Sequence, residues 1–188
     1  MLAISNKRKN NAAMESFIWK IKGKLLAKEQ AYRLGDPHSN QVSLRVVQIA
    51  QQKLNKLAFV SVYDIASVKQ LIQLEREFAK FSELKTISFQ ESRHYIPPRI
   101  HQRAVVEVAL DELEVKAAQL LSRCHYTASI AAHQLLICLR TLTQDYFVTR
   151  RIHFQIYRQQ ALAAIAASKP VLEKHRGFKQ ILGGIVQT

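Results

Sequence analysis

An all-α fold, a bundle of about six to seven helices joined by short loops, is what this sequence predicts. Three observations carry the expectation. Apolar residues recur at three- and four-residue steps over most of the 188 positions, the spacing that gathers them on one side of a helix. All four prolines and most of the five glycines stand where that periodicity breaks, as punctuation between elements. Apolar residues make up 48% of the chain, enough to bury a core, and the absence of a repeating period argues against a solenoid. A single domain over residues 12–188, preceded by a disordered basic tail over 1–11, fits this length.

The first helix is expected from about Ala12, capped by Asn11, to Leu34, where Gly35-Asp36-Pro37 sets a glycine before a residue that cannot continue a helix. The second, over about 40–59, aligns Val42, Val46, Ala50, Leu54 and Leu57 in a stripe. A third begins near Ser61 with Asp64 as its capping signal, carries Ile65, Val68, Leu71, Ile72, Phe78 and Phe81, and ends near Glu83. Residues 85–98 read as an extended loop, because Pro97-Pro98 excludes helix before it. Helices then follow over about 99–123, with Val105, Val108, Leu113, Ala117, Leu120 and Leu121 on the apolar side, and over about 127–144, with Ile130, Leu135 and Leu142. The last two are expected over about 147–167, ending before Ser168-Lys169-Pro170, and over 170–182, stopping at Gly183-Gly184.

Charge is distributed unevenly. Residues 1–56 hold 11 Lys and Arg against 3 Asp and Glu, residues 149–188 hold 7 against 1, and the stretch between balances at 10 against 10. Basic flanks of this kind point toward anionic partners, either an anionic membrane surface or an acidic protein, with nucleic acid as the alternative. The start of the chain has no apolar h-region after its lysines, so it does not read as a secretory signal peptide. The longest nearly apolar run, Ala128–Leu139, is too short to span a bilayer. Cys124 and Cys138 stand among apolar neighbours and read as core thiols of a reducing compartment.

Templates for catalysis are missing: the sequence has no phosphate-binding glycine loop, no GxSxG, no HExxH and no CxxC. That favours a binding protein over an enzyme, with no cofactor. His125 and His133 share a face only if one helix carries both, and without a carboxylate at ligand spacing no metal is expected. Glu107, Asp111, Glu112 and Glu114 form an acidic cluster that reads as a solvated face or an electrostatic contact with a basic end. Arg150, Arg151 and Arg158 read as an exposed stripe. In residues 14–28, Met14, Phe17, Ile18, Ile21 and Leu25 lie on one side, flanked by Lys20, Lys24 and Lys28, with Trp19 at the apolar edge. Such a helix suits a lipid headgroup boundary or a partner groove, or else docks its apolar side on the bundle. The residues expected to engage an anionic partner are therefore Trp19, Lys20, Lys24 and Lys28 in the first helix, with Arg176 and Lys179 in the last.

The segment His175-Arg176-Gly177-Phe178-Lys179-Gln180-Ile181-Leu182, with the Ala-rich stretch before it, resembles a C-terminal segment of uncharacterised Dot/Icm type IV secretion substrates of intracellular bacteria. The likeness covers about a tenth of the chain. It implies an effector that resides in the bacterial cytoplasm before export and in the host cytosol or on a host membrane afterwards, and it implies no particular activity. A second stretch, Lys116–Arg140, is similar to the central helical hairpin of HEPN domains. The ribonucleases of that family carry a spaced Arg and His, whereas Arg150 and His153 stand too close together, so this likeness implies a nucleic-acid-binding bundle without the catalytic motif.

Overall fold

The computed structural model describes residues 2–36 and 38–186. Among the described residues it holds seven α-helices and no strand, so the chain is all-α. Contacts divide it into two compact units, Met1–His101 and Gln102–Thr188, a finer division than the single domain expected.

The first unit contains α1 (Leu2–Leu34), α2 (Gln41–Asn55), α3 (Ile65–Phe78) and the opening turn of α4 (Pro98–Ser122). Helix α1 starts ten residues earlier than its expected first position at Ala12, so the described part of the basic tail is helical. Asn11 is no cap: its Oδ1 accepts hydrogen bonds from the Val62 amide at 3.0 Å and the Ser61 hydroxyl at 3.3 Å. The Lys7 ammonium lies 5.5 Å from the Tyr63 ring centroid, a second tie to the same loop. At the other end the Gly35 amide closes the helix on the Ala31 carbonyl at 3.2 Å, while Pro37 of the expected stop lies outside the described residues. Met14, Phe17, Ile21 and Leu25 are buried, so the apolar side of α1 docks within its own unit.

Helix α3 starts at Ile65, later than expected, because Asp64 is itself the N-cap. Its carboxylate accepts from the Ser67 amide at 3.0 Å and the Ser67 hydroxyl at 2.7 Å, and these bonds, the hydroxyl's first, hold the acid below the ordinary aspartate value of 3.8. Asp64→Ala is expected to cost about 1 kcal/mol in urea unfolding at neutral pH. A lowered pKa contributes stability above the ordinary value that is lost as pH falls through the folded one, so the difference between wild type and variant narrows below pH 3.8. The expected extended loop contains a 3₁₀ turn over Gln90–His94 and supplies core: Ile87, Phe89 and Ile96 are buried, and Phe89 meets Phe17 and Phe78 edge-on at 6.0 and 5.3 Å.

The second unit contains the rest of α4, then α5 (Tyr126–Thr143), α6 (Phe154–Leu172) and α7 (Phe178–Val186) around one apolar core. Two expected boundaries shift. Helix α6 starts later than Phe147 and runs through Pro170 to Leu172, since a proline with helical φ near a C-terminus removes only one closing hydrogen bond. Helix α7 begins at Phe178 and passes through Gly183-Gly184, which costs propensity that burial of Ile181, Leu182 and Ile185 offsets. Both cysteines are exposed, contrary to the core reading. Cys138 lies on the outer side of α5, and Cys124 occupies a turn.

Helix α5 does not stop cleanly but widens into a π turn over Gln144–Val148, which brings Tyr146 and Phe147 to 5.0 and 5.9 Å from the ring of Tyr157 on α6. Tyr157 is buried and its hydroxyl has no hydrogen-bond partner among the described residues. Burial pushes the Tyr157 phenol up, an effect that the nearby Thr143 hydroxyl, which donates to the Leu139 carbonyl at 2.7 Å, only partly offsets. Removing an unpartnered buried hydroxyl relieves a desolvation penalty, so Tyr157→Phe is expected to stabilise the chain by about 1 kcal/mol in thermal unfolding.

Candidate functional site: a basic cleft in the second unit

Helices α4, α5 and α6 follow one another with short connections, so the turns after α4 and after α6 fall at the same end of the second unit. The first turn closes when the Cys124 amide donates to the Leu121 carbonyl at 3.0 Å and the His125 amide to the Leu120 carbonyl at 2.9 Å. Cys124 takes the left-handed conformation, φ 62°, that glycine usually fills at this place. In the second turn Gly177, φ +96°, fills it instead, and a Cβ there would lie 3.2 Å from Lys116 Nζ. The ammonium of α4 therefore rests against the Gly177 backbone.

These turns bring together residues far apart in sequence. Lys116, Gln119 and Leu120 of α4 and Arg123 just past its end, with His125, His175, Arg176, Gly177 and Phe178, line a cleft of about 300 Å³. The rings of His125 and His175 stand 5.0 Å apart, tilted by 60°, and both also line an adjoining cleft of about 450 Å³ with Tyr126, Ala128, Val171 and Lys174. No carboxylate lines either cleft. Among the described residues, Lys116, Arg123, Lys174 and Arg176 have no acidic ion-pair partner. Four acids of this unit are paired elsewhere: Arg140 bridges Asp111 at 3.3 Å and Glu114 at 2.9 Å, Arg103 pairs with Glu107 at 2.8 Å, and Lys169 with Glu173 at 3.6 Å. Glu107, Asp111 and Glu114 of the α4 cluster are thus paired with Arg103 and Arg140, which belong to neither basic end.

Of the residues expected to meet an anion, Arg176 lines this cleft and Lys179 does not, lying on the exposed side of α7. The other four are on α1 in the first unit. Lys20 is tied to Glu91 at 2.9 Å. That hydrogen bond raises the Lys20 pKa and, with a second from Tyr95, lowers that of Glu91. Lys24 also acts on Glu91, and Lys28 acts on Glu83. Trp19 is 71% exposed and the Lys22 ammonium, absent from the sequence expectation, sits 4.9 Å from its ring centroid.

Sequence reasoning missed Lys116, Arg123, His125, Lys174 and His175 as one group. The available signal was topological: successive antiparallel helices place alternate turns at one end, and both turns carry a histidine beside a basic residue. His133, weighed as a partner of His125, instead places its Nδ1 2.7 Å from the Ser129 carbonyl within α5. No group of three or more His, Cys, Asp or Glu among the described residues is arranged to hold a metal ion, and none of the described helices is long and apolar enough to cross a membrane. No family model matches this chain, and no curated protein or solved structure matches it either.

Proposed function

We propose that this chain is a non-enzymatic helical interaction protein that binds an anionic membrane surface, with the basic cleft of the second unit as its polar contact and Trp19 as an apolar one. The observation that carries this reading is the cleft itself: Lys116, Arg123 and Arg176 converge with His125 and His175 where no carboxylate offsets them. Gathering several cations around one concavity with no carboxylate among them is unfavourable, so such a site attracts an anion. An exposed tryptophan flanked by lysines supplies the amphipathic element that a headgroup boundary accepts. The setting is the one implied by the likeness to type IV secretion substrates: delivery into a host cell, where the cytoplasmic leaflets of membranes are anionic.

Co-sedimentation with vesicles tests this. Binding to vesicles containing phosphatidylserine, and none to purely phosphatidylcholine vesicles, is the expected result. A part of that binding should resist added salt and disappear in Trp19→Ala. Absence of binding to anionic vesicles at low salt overturns the reading. Binding to single-stranded RNA that falls steeply with salt, with no vesicle binding, would move the chain to the nucleic-acid class.

A further inference from the structure

We infer that the cleft between the α4–α5 and α6–α7 turns is a binding site for a phosphomonoester dianion, an inference that rests on reading the cleft as the anion contact and names the anion. Size is the first argument. A cleft of about 300 Å³ stands at the lower end of small-ligand sites, enough for a phosphate and a short attached group and too small for a nucleic-acid duplex.

Charge is the second argument. Lys116, Arg123 and Arg176 line one concavity without a carboxylate, so a dianion offsets more of their mutual repulsion than a phosphodiester monoanion can. Donor chemistry points the same way. Guanidinium groups present forked N–H donors that match phosphate oxygens, an ammonium adds a point charge, and the two imidazoles add ring N–H donors. A terminal phosphate offers three oxygens to this set, whereas a diester offers only two unesterified ones.

Placement supplies a third argument. Gly177 lacks the side chain that would press on Lys116, so the ammonium lies at the wall of the cleft against backbone. Beyond the histidine pair, the adjoining cleft is of mixed character, with Tyr126, Ala128 and Val171 beside Thr127 and Lys174, which leaves room for a polar organic group such as a glycerol on the ester.

The source of the phosphate is either a lipid headgroup or a soluble ester, and the experiment separates them. The full chain is titrated by calorimetry with inorganic phosphate and with glycerol 3-phosphate. In parallel it is sedimented with vesicles containing phosphatidic acid or phosphatidylserine, adjusted to equal surface potential. A preference of at least about tenfold for phosphatidic acid, lost in Arg176→Gln and in Arg123→Gln but kept in Lys80→Gln, is the expected result and assigns a lipid source. Binding of glycerol 3-phosphate that the same cleft substitutions abolish, without a lipid preference, assigns a soluble source. Far-UV circular dichroism and the melting temperature establish that each variant is folded, and Lys116→Gln serves where one is not. Equal binding to the two vesicle types together with no calorimetric signal overturns the phosphomonoester site while leaving the membrane reading in place. Conversely, binding of glycerol 3-phosphate with no binding to any vesicle overturns the membrane reading and leaves this site standing.

Discussion

Reversing two charges of the cleft, Lys116→Glu with Arg176→Glu, is expected to lower the affinity for anionic vesicles by at least about 100-fold. Each residue contributes a charge-assisted hydrogen bond worth about 1.5–3 kcal/mol against an anion, and about 1.4 kcal/mol is a factor of ten. The fold should not suffer. Arg176 is exposed, Lys116 is half-buried, and neither has an acidic ion-pair partner among the described residues, so no counter-charge is stranded by the change. The cations left behind, Arg123 and Lys174, lose two repulsive neighbours. Unfolding in urea should therefore stay within about 0.5 kcal/mol of wild type. The same pair of reversals at Lys20 and Lys24 should weaken vesicle binding far less, because Glu91 already acts on both lysines. A chain that binds equally well after the Lys116 and Arg176 reversals, and poorly after those at Lys20 and Lys24, would transfer the contact to α1.

The largest expected effect on stability is at Phe178. This side chain is 1% exposed and opens a helix of nine residues, too short to persist alone in water. Helix α7 is held by its apolar side, which Phe178, Ile181, Leu182 and Ile185 bury in the core of the second unit. Phe178→Ala should cost about 3–5 kcal/mol, from lost burial and the cavity left behind. Hydrogen exchange followed by mass spectrometry should show protection falling first in residues 178–185, ahead of α5. By contrast Phe81, 42% exposed in the first unit, should cost less than about 1.5 kcal/mol on truncation to alanine. Equal costs at the two positions would mean that α7 is not anchored through its first residue. Because Phe178 also lines the cleft, the alanine variant should lose anion binding as α7 detaches.

The helices were legible because the cues for them are local. Met14, Phe17, Ile21 and Leu25 repeat at helical spacing, and that side is buried within its own unit, which selects docking among the alternatives that amphipathicity left open. Boundaries were legible where they depend on neighbouring residues, as at Gly35. They were not where a distant contact decides. Asn11 looked like a cap because its partners, fifty residues on, could not be seen. Pro170 looked like a start because a proline tolerated at the end of α6 is spelled like one that opens a new helix. The reversal between about Arg123 and Thr127 was legible, but not that Cys124 would take the positive φ that closes it. The cleft was only partly legible, and for the same reason. Arg176 stood out by composition, but Lys116, Arg123 and His125 acquire meaning only when two turns separated by some fifty residues meet.

Helix α4 carries its charges in sequence. Glu107, Asp111 and Glu114 lie along its middle and Lys116 and Arg123 toward its end, with Asp111 and Arg123 separated by roughly 18 Å of helix. That distance exceeds the screening length of about 8 Å at physiological salt, so the two stretches act on their surroundings separately. The acids along the middle of α4 are already paired with Arg103 and Arg140, so the uncompensated charge of this helix is cationic and sits at its cleft end. In the proposed membrane contact, long-range attraction acts first on that cationic end, which presents the cleft before any hydrogen bond has formed.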